Sequence, residues 1–301
     1  MHEYSDDSDF KSGFVAIIGA PNVGKSTLLN RMLGEKISIT SKKPQTTRNR
    51  VLGVLHRPAA QMIFLDTPGV HQSRKPLNVR IVETALTAMG DADLLLILVD
   101  VATPDPVSEG WMVEKLKKSR KPVILALNKI DLIKKEDLLR FIECWKGLYP
   151  FEAIVPISAT KGTQLDVLTA AMEKHLPTGP PYFPSDTLTD LPERFIAAEM
   201  IREKVFRLTG EEIPYSAAVT VDSFKEEQDG ALIRIHATIH LERESQKGIV
   251  IGRNGSKIKQ IGSAAREDIQ RFLAAKVFLQ LFVRIQKNWS KDTKAIRKLG
   301  Y

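Results

Sequence analysis

Five short runs hold the residues whose types and spacing can do chemistry. The first, Gly19-Ala20-Pro21-Asn22-Val23-Gly24-Lys25-Ser26, fits GxxxxGK[ST]. Its glycines let the backbone curl until successive N–H groups converge on phosphate oxygens. A helix opening at its end would add a positive N-terminus. Lys25 can reach β- and γ-phosphates, and the Ser26 hydroxyl can ligate Mg2+. The expected cradle is Ala20, Pro21, Asn22, Val23, Gly24, Lys25, Ser26 and Thr27. By composition such a match arises in about one chain in a hundred of this length, so the pattern has weight by itself.

Asp66-Thr67-Pro68-Gly69 is DxxG, a pattern expected about once per chain by chance. Its worth lies in its position directly after the apolar run 62–65. A carboxylate at that strand end can hold Mg2+, and Gly69 can bring its N–H to the γ-phosphate. Asn128-Lys129-Ile130-Asp131 closes another apolar run, 123–127. Guanine offers N1–H and N2–H2 as neighbouring donors, which one carboxylate accepts together and adenine cannot supply. Asp131 is therefore the candidate guanine reader. Asn128 can bridge base edge and phosphate loop, and the Lys129 stem can cover the ring. Ser158-Ala159-Thr160 follows the run 153–157, where the Ala159 N–H is placed to meet guanine O6. A P-loop kinase or ATPase would share the cradle, but Asp131 argues against it.

The elements that must position these loops are readable. Apolar runs at 14–18, 62–65, 94–99, 123–127 and 153–155 suit strands buried on both faces of a parallel sheet, with 50–56 as a candidate edge strand. Helical patterns fit about 24–33, 75–89, 107–118, 136–147 and 164–175. The alternation predicts a doubly wound α/β domain over 13–177, after a tail at 1–12. Four prolines in the eight residues from Pro177 to Pro184 open a semi-rigid spacer at 178–190. Residues 191–301 then predict a smaller α+β domain. It has a helix at 192–208, a hairpin of 217–224 and 231–241, a helix at 256–274, a strand at 276–286 and a terminal helix.

The 301 residues include 44 Lys and Arg against 36 Asp and Glu, and 43% are hydrophobic, as in an ordinary globular chain. The lone cysteine, Cys144, cannot form an internal disulfide and favours a reducing compartment. The longest apolar run, 94–99, is too short to span a bilayer, and the acidic start is unlike a signal peptide. A cytoplasmic protein is expected. The net charge of +8 is uneven: residues 245–301 carry 13 Lys and Arg against three Asp and Glu, while 1–244 are slightly acidic. A basic end of this kind fits a polyanionic partner, either nucleic acid or an anionic membrane surface.

Within that basic region, Gly252-Arg253-Asn254-Gly255 is GxxG between apolar Ile249-Val250-Ile251 and helical Ile258 and Ile261. Such a loop can clamp about four nucleotides of a single strand. Arg253, Lys257 and Lys259 add positive charge without choosing bases. Arg253-Asn254 stands where many such loops carry Lys and Gly, which bears on the clamp geometry. The strands here are expected to expose no aromatics, which argues against a base-stacking sheet.

Taken together, the chain resembles the translation-factor-related P-loop GTPases and, within them, is similar to the Era family. The resemblance runs from Gly13 to Tyr301 and rests in the second half on Gly248-Ile249-Val250-Ile251-Gly252, Lys276-Val277-Phe278-Leu279 and Lys287-Asn288-Trp289. It implies a GTPase domain followed by a type II KH domain that binds the 3′ region of small-subunit (16S) ribosomal RNA and assists 30S subunit assembly. By the same resemblance, Gln45-Thr46-Thr47-Arg48 is a switch segment, and Thr47 ligates Mg2+ and the γ-phosphate. Lys25, Thr47 and Gly69 are the expected catalytic groups. The metal ligands are Ser26, Thr47 and Asp66, and the partners are GTP and GDP. The family also implies peripheral association with an anionic inner membrane, and Trp289 lies among basic residues. Asn22 points to K+ as a second cation. No motif points to an obligate protein partner.

Many GTPases orient water with a Gln after the DxxG glycine. Here that position is Val70, so slow intrinsic hydrolysis is expected, with His71 and Gln72 as weak substitutes. GTP is expected to order about 36–50 and 67–80, near the second domain.

Overall fold

The computed structural model describes residues 9–40, 48–69, 76–210, 213–227 and 231–300. They divide into two compact units, the first drawn mostly from the chain up to Asp190 and the second mostly from Leu191 onward. The first unit runs β1 (Lys11–Ile18), α1 (Lys25–Leu33), β2 (Val51–Arg57), β3 (Ala60–Asp66), α2 (Pro76–Asp91), β4 (Leu94–Asp100), α3 (Pro106–Leu116), β5 (Val123–Asn128), α4 (Lys135–Leu148), β6 (Ala153–Pro156) and α5 (Leu165–Lys174).

The six strands lie in the order β2-β3-β1-β4-β5-β6. All neighbours are parallel except β2, which pairs antiparallel with β3 at the edge. Every residue of β3, β4 and β5 is buried, as their continuous apolar runs require. The four motifs therefore emerge at the carboxyl ends of β1, β3, β5 and β6, where ligands bind in open α/β sheets.

β1 begins earlier than its apolar run. Lys11 and Ser12, placed in the tail by hydropathy, pair with Ala60 and Gln61. Polar Ser12 is buried because its hydroxyl donates to Pro180 O at 2.6 Å. The proline-rich segment, expected as a spacer, lies along this unit as a strap. Val54 N donates to Leu188 O at 2.8 Å. The Thr189 hydroxyl donates to Leu52 O at 2.5 Å, and the Gln61 amide both accepts from Tyr182 N and donates to Phe183 O at 2.7 Å.

The second unit runs α6 (Glu193–Leu208), α7 (Ile213–Ser216), β7 (Ala218–Glu227), β8 (Leu232–Leu241), α8 (Glu244–Ile251), α9 (Ser256–Leu273), β9 (Lys276–Ile285) and α10 (Thr293–Lys298). β7 and β8 form the expected antiparallel hairpin, with a bulge between Val221 and Ser223, and β9 joins β8 in parallel. The helical crossover α8–α9 makes that parallel pairing possible. Helices α6, α8 and α9 share one core with a single face of this sheet.

One expectation fails here. The sheet does expose aromatics: Phe278 and Phe282 are 45% and 46% accessible. Trp289, which lies among basic residues in the sequence, is fully buried, and its Nε1–H donates to Ser216 O at 2.9 Å. Among the described residues no helix is long and apolar enough to cross a membrane.

Candidate functional site

The phosphate loop bends where glycine allows it. Gly24 sits at φ 103°, a left-handed conformation, and a Cβ there would come within 2.4 Å of Asn128 Nδ2. Ala20 and Val23 are buried, Pro21 is half-buried and Asn22 is exposed at φ 65°. Helix α1 starts at Lys25, so Lys25, Ser26 and Thr27 form its first turn, where the helix end is positive. Gly34, at φ 75°, ends the helix.

The Lys25 ammonium is buried and donates to Gly19 O at 3.0 Å and Ala20 O at 2.9 Å. Burial pushes its pKa from 10.5 down to about 8, against the opposing pull of the Asp66 carboxylate. Free of nucleotide, the group loses its proton from about pH 8 upward, while the unfolded chain keeps it to about 10.5. The burial cost to the fold is thus present below pH 8 and is relieved as pH rises. Bound phosphates favour the ammonium and raise its pKa again. Nucleotide affinity should therefore fall above pH 8, approaching about tenfold per pH unit. Titration with fluorescent GDP from about pH 7 to about pH 9 measures this, and a flat profile would contradict it.

Ser26 Oγ donates to Asp66 Oδ2 at 2.8 Å, which sets the two described metal-ligand candidates side by side. A hydroxyl and a carboxylate are hard oxygen donors of the kind Mg2+ takes, with phosphate and water completing its shell. Thr67 is buried and ties the end of β3 to β1 through Ile17 O at 2.8 Å. Gly69 packs on the phosphate loop so closely that a Cβ would lie 2.7 Å from the Pro21 backbone. Residues 41–47 and 70–75, with Thr47, Val70, His71 and Gln72 among them, lie outside the described residues.

Asn128 joins the phosphate and base loops. Its Nδ2 donates to Val23 O at 2.7 Å, and its Oδ1 accepts from Ala159 N at 2.9 Å. The Ala159 N–H, expected at guanine O6, is engaged by this amide. Ser158 is buried and its hydroxyl accepts from Lys161 N at 3.2 Å. Lys129 stands at φ 69° with its ammonium 2.5 Å from Asp100 Oδ2. Asp100, buried at the end of β4, is paired in register with Asn128 and was not anticipated from sequence. Its one signal was a carboxylate ending a buried run on the same sheet edge. Asp131 is exposed. Its carboxylate faces water, free to accept a base edge.

In the second unit, α8 ends at Ile251 and Gly252 turns the chain at φ 71°. A Cβ on Gly252 would reach 2.9 Å from Lys257 N, so the glycine is required twice over. Asn254 adopts φ 53° and Gly255 φ 74°. Asn is the side-chain-bearing residue that tolerates this conformation best, so it serves where other loops use glycine. Arg253, Asn254 and Lys259 are exposed, Lys257 is half-buried, and Ile249 leaves 51% of its surface bare beside them. The loop therefore presents backbone and cations next to an apolar flank.

Known proteins carry the same two parts in the same order. Residues 14–129 match the family described as 50S ribosome-binding GTPase, and residues 212–290 match the KH domain family. GTPase Era of Geobacter metallireducens is 56% identical over 295 residues, spanning 98% of this chain and 99% of its own. GTPase Era of Geotalea uraniireducens is 54% identical with the same coverage. Among solved structures, Era in complex with MgGDPNP and nucleotides 1506–1542 of 16S ribosomal RNA has a TM-score of 0.93 at 42% identity. That similarity covers 97% of this chain and 99% of the other. An Aquifex aeolicus Era variant bound to GDP and aluminium fluoride also has a TM-score of 0.93, at 41% identity. Shared sequence over nearly the whole length, on a common fold, makes this chain a member of the GTPase Era family.

Proposed function

We propose that the chain is a Mg2+-dependent GTPase switch that binds 16S ribosomal RNA and assists 30S subunit assembly in the cytoplasm. The observation that carries the nucleotide half is the Asn128 bridge, which makes guanine recognition and phosphate binding one hydrogen-bonded unit. Ser26, Asp66 and Thr47 are the proposed Mg2+ ligands, and the ion supplies neutralisation of β- and γ-phosphate charge. Lys25 and the loop N–H groups stabilise charge that grows on the leaving diphosphate. Gly69 lets the DxxG backbone approach the γ-phosphate. With Val70 in place of a water-orienting glutamine, slow turnover is expected.

The RNA half is supported by the exposed GxxG loop, by the charge of the last 57 residues and by the RNA-bound relative. Arg253→Asp with Asn254→Asp places two negative charges where phosphates would lie, on exposed side chains, and Asp, like Asn, tolerates the positive φ of residue 254. Affinity for a 3′-terminal 16S RNA oligonucleotide should fall by about tenfold or more, with a shallower salt dependence. Measuring the same binding with GTP analogue and with GDP tests the switch, since equal affinities would remove the coupling. K+ at Asn22 is an accessory proposal, tested by comparing turnover in KCl and NaCl, and equal rates would end it. The membrane alternative rests on the basic tail and gains nothing from Trp289, whose ring is buried. Liposome flotation of the protein would favour that alternative.

A further inference from the structure

Strand β9 has two unlike faces. Val277, Leu279, Leu281, Val283 and Ile285 join the core under the helices. Between them Lys276, Phe278, Gln280, Phe282 and Arg284 face away and are exposed, as strand alternation demands. Register sets Arg234 of β8 beside Phe278, His236 beside Gln280 and Thr238 beside Phe282. The Arg234 guanidinium lies 5.1 Å from the Phe278 ring centre. The His236 ring meets Phe282 edge-on, with centroids 6.4 Å apart. Arg234 in turn faces Lys225 across the β7–β8 pair.

The charge on this face has one sign left over. Lys225, Arg234, Lys276 and Arg284 are its cations. Two carboxylates stand against these four, which leaves an excess of two positive charges: Glu227 pairs with Arg234 at 2.8 Å, and Asp222 accepts from the Thr220 and Thr238 hydroxyls. Isolated exposed phenylalanines need no explanation, but two on one strand, flanked by an arginine and a histidine and ringed by cations, form a patch.

We propose that this open sheet face is a second single-stranded RNA contact, on the side of the second unit opposite its helices and separate from the GxxG loop. It deepens the RNA reading above, on which the choice of ligand rests. Every base has a π-face, so exposed phenylalanines hold bases without choosing sequence, and flanking cations hold the phosphates. Four residues of strand place Phe278 and Phe282 about 13 Å apart, so the bases they hold are splayed rather than stacked on each other. Gln280 stands between the rings with an amide that can both donate to and accept from a base edge. A second copy of the chain is the poorer occupant, because a symmetric pairing would bring together two faces of the same net positive charge.

The test uses the full chain and a fluorescent oligoadenylate about twelve nucleotides long, enough to span the patch. Phe278→Leu with Phe282→Leu keeps apolar bulk on the strand and removes both rings. Binding should weaken by about tenfold or more, and ultraviolet crosslinks should map to the β9 peptide. The Arg253→Asp/Asn254→Asp protein should still bind this probe and still crosslink at β9. Unchanged affinity of the leucine variant, or crosslinks confined to residues 252–259, would overturn the proposal. So would concentration-dependent dimerisation of the parent that the leucine variant lacks. Failure of the GxxG reading looks different: the aspartate variant would then bind the 3′-terminal 16S oligonucleotide as tightly as the parent, whatever β9 does.

Discussion

Asp131→Asn will weaken GTP binding by about a hundredfold or more and will open the pocket to xanthosine triphosphate. The carboxylate is exposed at the first turn after β5, where it can accept the two neighbouring donors of guanine together. Hydrogen bonds to a charged group contribute about 1.5–3 kcal/mol each, so two of them support that factor. An amide in its place turns an N–H toward one guanine donor, and the two donors repel. Xanthine carries a carbonyl at that position and accepts instead. Competition of GTP, ATP and xanthosine triphosphate against fluorescent GDP reads the outcome. An unaltered preference for GTP would mean that some other residue reads the base.

The second large effect belongs to Lys25→Met. Methionine keeps an unbranched side chain, one atom shorter, and removes the charge. The turnover number should fall by about a hundredfold to a thousandfold, the usual loss for one preorganised electrostatic group. The fold should respond far less. The Lys25 pKa is pushed down to about 8 because burial outweighs the attraction of Asp66. Removing the ammonium relieves a desolvation cost but leaves buried Asp66 without its cation and the Gly19 and Ala20 carbonyls without its N–H groups, so the two effects offset and the nucleotide-free protein should melt close to the parent. Single-turnover hydrolysis and a thermal melt without nucleotide test the two halves separately. A variant that hydrolyses normally, or one that unfolds early for want of Lys25, would contradict this account.

The sheet of the first unit was legible because each motif ends a continuous apolar run, and such runs have one comfortable place, inside a parallel sheet. β3, β4 and β5 are buried throughout, so hydropathy alone marked the edge where Asp66 and Asn128 sit. The GxxG turn was legible because two positive-φ positions are glycines. What escaped depends on partners far away in sequence. Asp100 holds Lys129 only because register sets it beside Asn128. Ser12 is in a strand because carbonyls of the proline strap, 167 and 168 residues on, accept its hydroxyl. Trp289 lies among cations in the sequence, yet its ring is buried and the distant carbonyl of Ser216 takes its N–H. The run Val277-Phe278-Leu279-Gln280-Leu281-Phe282-Val283 is apolar on both sides of its pleat. Which side meets water is decided by the helices, and here they take the aliphatic side and leave the rings outside.

The proline strap has a consequence for how the first unit can be handled. β2 is an edge strand, and the carbonyl of Leu188 and the hydroxyl of Thr189 satisfy its outward backbone groups at Val54 and Leu52. Those bonds act as a blunted selvedge. A fragment cut at the last turn of α5 would leave the edge bare, inviting strand-to-strand aggregation between molecules. One that runs on to Asp190 carries its own guard against insolubility.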